Sequence, residues 1–231
     1  MNKTQRYLSA WSRHHRSGGF GIHSPHAYEF VRTVLRGRLP YYAYDDIGKL
    51  IDAVKSCTTA PQRRATGLIG NRAARLLFRV TNYVTPRRIF QAGAASGVES
   101  VVMLSVNSEC RLWLYDPCLD ANPVAGRVLG DCLNRIACYD DEAVAGEDFL
   151  AASGEPAMAL LNMPIGEAVA FGLLDAHAVV VLNQMHRNKA MAGLYDACCG
   201  YMTAGQTFTN GKTAILIPNP KLQREDFELW L

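Results

Sequence analysis

The stretch Arg88-Ile89-Phe90-Gln91-Ala92-Gly93-Ala94-Ala95-Ser96-Gly97 decides the fold class of this chain. Its first five residues have the apolar character of a buried strand, and residues 97–105 have helical spacing. Two glycines and three small residues connect the two. A strand, a tight glycine turn and a helix in this order leave backbone N–H groups at the start of the helix, where they can face a ligand.

Downstream of this turn, compact apolar runs alternate with helical stretches. The predicted strands lie at residues 88–92, 111–115, 135–139, 157–161 and 178–182, and the helical stretches at 97–105, 122–133, 167–174 and 188–202. Such alternation indicates right-handed βαβ units around a parallel sheet that is covered on both faces. We therefore predict an α/β fold with a doubly wound, mostly parallel sheet.

The end of the chain has a different pattern. Two apolar runs, residues 206–209 and 213–217, flank Asn210-Gly211, a dipeptide favoured in two-residue hairpins because both residues tolerate positive φ. This pattern predicts an antiparallel C-terminal hairpin and brings the expected strand count of the Rossmann-like sheet to seven.

The N-terminal part, residues 1–84, has helical periodicity and no convincing strand. Ser24-Pro25 is a helix start, because the serine oxygen can accept an N-terminal N–H and proline at the first position loses no useful donor. We expect one helix at about residues 26–36 and another at 72–83. The chain thus divides into a basic helical segment, 1–84, and a Rossmann-like domain, 85–231.

Charge is distributed unevenly over the 231 residues, whose formal net charge is +3. Through Arg88 there are 16 Lys and Arg against 4 Asp and Glu, a balance of +12, and the remainder has 8 against 17, a balance of −9. The basic segment either offers a face to an anionic partner such as nucleic acid or docks on its own acidic domain. Tyr41, Tyr42 and Tyr44 are either base-stacking groups or packing groups beside Pro40.

Composition excludes several classes of protein. No apolar run approaches the ~20 residues of a membrane-spanning helix, and the polar, basic N-terminus has no apolar signal region, so we expect a cytoplasmic protein without a membrane partner. The seven cysteines form no C-x-x-C pair, which argues against a disulfide framework or a zinc site.

An acidic residue follows the second predicted strand, about twenty residues after the turn. Asp116 ends the run at 111–115, and a carboxylate in this place can accept hydrogen bonds from the hydroxyls of a ribose. A plain strand-end aspartate is the alternative.

These motifs resemble known proteins. Residues 76–119 resemble motif I and the acidic strand end of class I S-adenosylmethionine-dependent methyltransferases, in the E-x-G-x-x-x-G style of small O-methyltransferases. Gly21-Ile22-His23-Ser24-Pro25, with Tyr41-Tyr42-Ala43 further on, resembles a bacterial methyltransferase-like family known mainly from Bacteroidetes. The resemblance implies S-adenosyl-L-methionine as cofactor, a small-molecule acceptor of unknown identity, and a homodimer as a plausible assembly.

The resemblance also implies roles for particular residues. Cofactor-binding positions would be Gln91, Gly93, Ala95 and Gly97 in the turn, Asp116 at the ribose, Asp148 beside the adenine, and Asn162 after the fourth strand. His186, just after the fifth strand, is the candidate catalytic base because imidazole titrates near neutral pH, although it can instead cap a turn. His23 either covers the cofactor or fixes the loop before the first helix.

The sequence departs from that family at its acidic positions. Gln91 replaces the usual glutamate of the turn, and Asn162 and Asn183-Gln184 stand where the related enzymes carry metal-binding carboxylates. Neutral amides hold Mg²⁺ or Ca²⁺ weakly, so we predict no metal. Three functions remain open: a metal-independent O-methyltransferase, a catalytically inactive scaffold of the same fold, and a nucleic-acid methyltransferase.

Overall fold

The computed structural model describes residues 22–152 and 154–229. Residues 1–21, which hold the first part of the basic segment and Gly21 of the N-terminal motif, lie outside the described residues. Ser24 begins the first helix, α1 (Pro25–Phe30), and its Oγ accepts the N–H of Ala27 at 3.4 Å. The predicted helix start is confirmed. The helix continues as a wider π turn over Val31–Leu35, where the sequence predicts an unbroken α-helix.

Three more helices precede the first strand: α2 (Ala43–Ser56), α3 (Ala60–Ala65) and α4 (Asn71–Val84). A capping box starts α3, in which the Thr59 side chain accepts the N–H of Gln62 and the Gln62 side chain accepts the N–H of Thr59. The α4 helix ends at Val84, and its C-cap residue Thr85 directly precedes a proline, so the helix stops before that proline as its sequence predicts.

Two of the three N-terminal tyrosines pack into the fold. The rings of Tyr41 and Tyr44 meet Phe78 edge-on, with centroids 5.3 and 5.9 Å apart, whereas Tyr42 is fully exposed. Packing beside Pro40 therefore accounts for Tyr41 and Tyr44, and stacking on bases is not needed to explain them.

The sheet has the order β3-β2-β1-β4-β5-β7-β6-β8 among the described residues. Its strands are β1 (Arg88–Ala92), β2 (Arg111–Tyr115), β3 (Ile136–Tyr139), β4 (Ala157–Leu161), β5 (Val179–Leu182), β6 (Gln206–Thr209), β7 (Ala214–Ile217) and β8 (Glu225–Glu228). The first five strands pair in parallel, which confirms the predicted doubly wound arrangement.

Helices cover both faces of the sheet. They are α5 (Val98–Leu104), α6 (Pro123–Leu129), α7 (Glu142–Ala151), α8 (Glu167–Asp175) and α9 (Lys189–Tyr201). Successive residues of β1 point to opposite faces, so Ile89 joins the core under α4 and α5, and Phe90 joins the core under α7 and α8. Burial on both faces explains why the central strands read as continuous apolar runs.

Some predicted boundaries are wrong. The helix predicted over residues 122–133 ends at Leu129, and a 3₁₀ segment, Gly130–Arg135, leads into β3. The connection between β6 and β7 has four residues, Asn210–Thr213, because the Asn210 side chain accepts the N–H groups of both Lys212 and Thr213 and widens the turn.

The predicted count of seven strands is also wrong. An eighth strand, β8, pairs in parallel with β6 and forms the edge of the sheet beyond the antiparallel β6–β7 pair. Separately, none of the helices in the described part of the chain is both long and apolar enough to span a lipid bilayer.

Candidate active site

The turn after β1 has left-handed backbone at alternate residues. Gly93, Ala95 and Gly97 have φ of 82°, 50° and 80°. Only glycine takes this conformation without strain, and a Cβ on Gly97 would also lie 3.1 Å from the side chain of Val128. Two glycines at this spacing therefore let the chain turn sharply from β1 into α5, at the carboxyl edge of the parallel strands.

Gln91 holds the turn from within. Its fully buried side chain donates from Nε2 to the carbonyl oxygen of Gly93 at 2.9 Å, and its Oε1 accepts from Ser100 Oγ at 2.8 Å. A glutamate here can accept the serine hydrogen bond but, when ionised, cannot donate to the carbonyl. The Gln91 side chain thus stabilises the turn by linking its backbone to α5.

Asp116 joins the turn to the end of β2. Its Oδ2 accepts the N–H of Ala94 at 2.8 Å, and its Oδ1 accepts the N–H of Cys118 at 2.9 Å. A carboxylate has about four lone-pair directions, so these two bonds leave acceptor capacity for a ligand. Asp116 lies in a cleft of about 390 Å³ together with Ala95, Asn122 and Thr66, which we call the Asp116 cleft.

Asn122 is a member of this cleft that the sequence does not reveal. Its Nδ2 donates to the carbonyl oxygen of Ala95 at 2.7 Å, and its Oδ1 accepts the N–H of Ala125 at the start of α6. One side chain therefore caps a helix and fixes the strained residue of the turn. An Asn-Pro pair at a helix start is the sequence signal, but only the fold shows that it reaches Ala95.

A chain of side-chain amides crosses the carboxyl edge of the sheet. Thr213 Oγ1 donates to Asn183 Oδ1 at 3.2 Å, Asn183 Nδ2 donates to Asn162 Oδ1 at 2.9 Å, and Asn162 Nδ2 donates to the carbonyl oxygen of Gly93 at 3.1 Å. The amides after β4 and β5 thus bond to one another and to the turn. Within residues 22–152 and 154–229, no cluster of three or more potential His, Cys, Asp or Glu ligands is present.

A second cleft, of about 800 Å³, is lined by these amides. Asn162, Asn183, His186, Thr213 and Glu99 are among the residues that line it, and we call it the His186 cleft. His186 is exposed. The desolvation it undergoes, followed by the positive charges of Arg187 and Lys212, lowers its pKa. A lowered pKa favours the neutral imidazole, which is the form that can accept a proton.

Glu99 is a buried carboxyl that lines the His186 cleft, and the sequence prediction missed it. It lies in the first turn of α5, is 1% exposed, and accepts a hydrogen bond from Ser96 Oγ at 3.2 Å. Burial raises its pKa to about 7, against a smaller lowering by hydrogen bonds from its own backbone and Ser96. An acid among the apolar residues of a core-facing helix is the signal that could have found it.

Asp148 does not lie with the other predicted site residues. It lies on α7 and is exposed, and its Oδ2 accepts a hydrogen bond from the hydroxyl of Tyr139 at 3.0 Å. β3 ends at Tyr139 and α7 begins at Glu142. Asp148 therefore lies ~9 Å along the axis of α7 from the first residue of that helix. His23, likewise exposed, lines neither of the two clefts.

Apart from Asp148, the residues predicted to bind the cofactor or act in catalysis fall into three groups. Ala95 and Asp116 line the first cleft, and Asn162 and His186 line the second. Gln91, Gly93 and Gly97 shape the turn between them. The α3 helix and the residues after it contribute to both clefts, since Gln62 and Thr66 line the first, and Arg63, Arg64 and Gly67 line the second.

The fold of this chain is similar to that of solved methyltransferase structures. The structure resembles the methyltransferase PaMTH1 of Podospora anserina bound to SAH, with a TM-score of 0.54, 8% identity and coverage of 86% of this chain and 97% of that one. It resembles an O-methyltransferase of Bacillus cereus in complex with SAH, with a TM-score of 0.53, 10% identity and coverage of 80% and 96%.

A third similar structure is the O-methyltransferase TomG of Streptomyces achromogenes in complex with SAM, with a TM-score of 0.50, 16% identity and coverage of 74% and 90%. At such low identities the likeness establishes the fold. No protein-family model and no curated protein sequence matches the chain.

Proposed function

We propose that this protein binds S-adenosyl-L-methionine in the Asp116 cleft and transfers its methyl group to a small molecule held in the His186 cleft. The observation that carries the proposal is the Asp116 carboxylate, which Ala94 and Cys118 hold in place beside Ala95 with acceptor capacity left over. A ribose diol offers two hydroxyl donors to such a group. The similar structures bound to SAM or SAH support this cofactor.

Two neighbouring clefts suit a two-substrate reaction. Asn162 bonds to the turn through Gly93 and also lines the His186 cleft, so an acceptor there lies next to a cofactor on the turn. Methyl transfer is an in-line displacement, in which the protein mainly positions both substrates and removes a proton from the acceptor. Neutral His186 is the group we assign to take that proton.

Calorimetry with S-adenosylhomocysteine tests the cofactor assignment. We expect one site per chain with a Kd in the micromolar range, about −8 kcal/mol of binding free energy, and weaker binding of adenosine, which lacks the amino-acid part. Heat changes absent at millimolar ligand would remove the cofactor from the proposal.

The amide chain predicts independence from divalent metal. Because Asn162 and Asn183 satisfy each other, we expect the same Kd for S-adenosylhomocysteine and the same melting temperature in EDTA as in excess MgCl₂. Differential scanning fluorimetry with both additives provides the measurement. A melting temperature that rises with Mg²⁺ and falls again with chelator would contradict this prediction.

His186→Asn should lower methyl transfer without changing cofactor binding. General base catalysis is typically worth ~10²- to 10⁴-fold in rate, so we expect kcat to fall by that order while the Kd of S-adenosylhomocysteine stays constant. His177→Asn is the matched control, since His177 is an exposed histidine that precedes β5 at the opposite edge of the sheet and asparagine tolerates its φ of 53°. Equal kcat values for the two variants would exclude the assigned role.

One observation favours a second function, ligand binding without catalysis. Gln91, Asn162 and Asn183 are amides, so no carboxylate is present at those positions to act on a substrate. Their side chains donate hydrogen bonds to the backbone and to one another. Two results together would favour this scaffold function. The protein would bind S-adenosylhomocysteine, and it would not convert S-adenosylmethionine into S-adenosylhomocysteine when mixtures of candidate acceptors are present.

A further inference from the structure

The rim of the His186 cleft carries a concentration of positive charge. Among the residues that line this cleft, the one carboxyl is that of the buried Glu99. The lining residues also include five cationic side chains, which are Lys55, Arg63, Arg64, Arg187 and Lys212. We propose that the molecule bound in this cleft is a small polyanion, with two or more carboxylate or phosphate groups. This inference rests on the proposed function in one respect only, namely that the bound polyanion is the methyl acceptor.

The cations converge from separate parts of the chain. Lys55 lies in the last turn of α2, Arg63 and Arg64 lie on α3, Arg187 lies between β5 and α9, and Lys212 lies in the β6–β7 loop. A solvated charge run on one helix would not bring together four segments. The β6–β7 loop is fixed in this position, since the N–H of Met185 donates to the carbonyl oxygen of Lys212 at 3.1 Å.

The charges at this rim are only partly compensated. Lys55 pairs with Asp52 at 2.9 Å, and Arg63 donates to the carbonyl oxygens of Lys55 and Thr58. Arg64, Arg187 and Lys212 have no side-chain acceptor within residues 22–152 and 154–229. Grouping unpaired like charges costs free energy, which a bound anion recovers through charge-assisted hydrogen bonds.

The two clefts differ in the sign of their charge. The residues that line the Asp116 cleft include no lysine or arginine, and Asp116 is their one charged member. A cationic sulfonium cofactor and an anionic acceptor would therefore each meet a complementary potential. A volume of about 800 Å³ lies within the ~300–1,000 Å³ that small-molecule sites occupy, which favours a metabolite-sized anion over a polymer.

The test uses calorimetry with citrate and pyrophosphate as anionic probes and glycerol as the neutral one. We expect both anions to bind, glycerol not to bind, and Arg187→Gln/Lys212→Gln to weaken anion binding by at least ~10-fold, as expected for the loss of charge-assisted hydrogen bonds. Arg111→Gln/Lys221→Gln is the matched control. It removes the same two residue types from exposed positions, at the start of β2 and after β7, outside both clefts.

Several results would overturn the inference. It fails if neither anion binds, or if the two double variants lose the same affinity for the anions. It also fails if a single-stranded RNA binds more tightly than citrate and its affinity falls when Arg187 and Lys212 are replaced. S-adenosylhomocysteine is titrated into the same samples. Anion binding that depends on Arg187 and Lys212, without binding of S-adenosylhomocysteine, would remove the cofactor assignment and leave the anion site standing.

Discussion

Asp116→Ala is expected to weaken binding of S-adenosylhomocysteine by at least ~100-fold, because each hydrogen bond to a charged group contributes ~1.5–3 kcal/mol and a ribose offers two. The substitution also removes the acceptor for the N–H of Ala94, so the turn loses a contact with β2. Calorimetry on the purified variant is the measurement.

Control variants separate these two effects. Asp116→Asn keeps one of the two acceptor oxygens and loses the negative charge, so it should lower the melting temperature less than Asp116→Ala does while still weakening ligand binding. Asp120→Ala removes a carboxylate from the short 3₁₀ segment Leu119–Ala121 that follows Asp116. Asp120 does not line the Asp116 cleft, so this variant should bind normally. A Kd that is unchanged in folded Asp116→Ala would show that the ribose lies elsewhere.

Glu99→Gln is expected to raise the free energy of unfolding at pH 8 by about 3 kcal/mol. Burial raises the pKa of Glu99 to about 7 from 4.5, and each pKa unit corresponds to ~1.36 kcal/mol. Between these pH values the native state holds a proton that the unfolded state has released, so the stability of the wild type falls as the pH rises from 4.5 to 7. Glutamine remains neutral and avoids this loss.

Urea unfolding at pH 5 and pH 8 measures the effect. The two proteins should differ little at pH 5 and by about 3 kcal/mol at pH 8, the value that the shift of Glu99 from 4.5 to about 7 implies. Glu109→Gln, an exposed acid after the same helix, is the control and should leave the pH profile unaltered. Equal stability of Glu99→Gln and wild type at pH 8 would contradict the burial of an ionisable carboxyl.

A residue that lowers stability near neutral pH is typical of a functional site. Glu99 lines the His186 cleft, so its carboxyl can contact the bound molecule as well as the helix. The stability gain of Glu99→Gln should therefore come with altered affinity for the occupant of that cleft.

The parallel half of the sheet was predictable because its signals are local. β1, β4 and β5 are buried along their whole length and read as apolar runs between glycines, prolines and helical stretches. β8 gave no such signal. Its sequence, Glu225-Asp226-Phe227-Glu228, has low strand propensity, and it is held by partners on β6, such as Gln206, whose Nε2 donates to Glu225 at 2.8 Å. Its charges suit the edge of a sheet.

The glycine turn and Asp116 are the part of the candidate site that the sequence predicts most directly. The turn and Asp116 follow consecutive strands, and parallel strands bring their carboxyl ends to one edge. The cations of α3 depend on how the N-terminal helices fold back over that edge, which no local pattern specifies. Asp148 lies apart from the other predicted site residues because it belongs to α7 and does not directly follow β3.

The chain of amides from Thr213 to Gly93 has a consequence for experiments in different buffers. Its links are a hydroxyl, two asparagine amides and a backbone carbonyl, none of which gains or loses a proton under conditions in which proteins stay folded. A carboxylate in any of these places would make the chain of amides change its bonding in acid. Here the chain of amides keeps one bonding pattern from acidic to alkaline solution, so a change in ligand affinity with pH reports on groups such as Glu99 and His186.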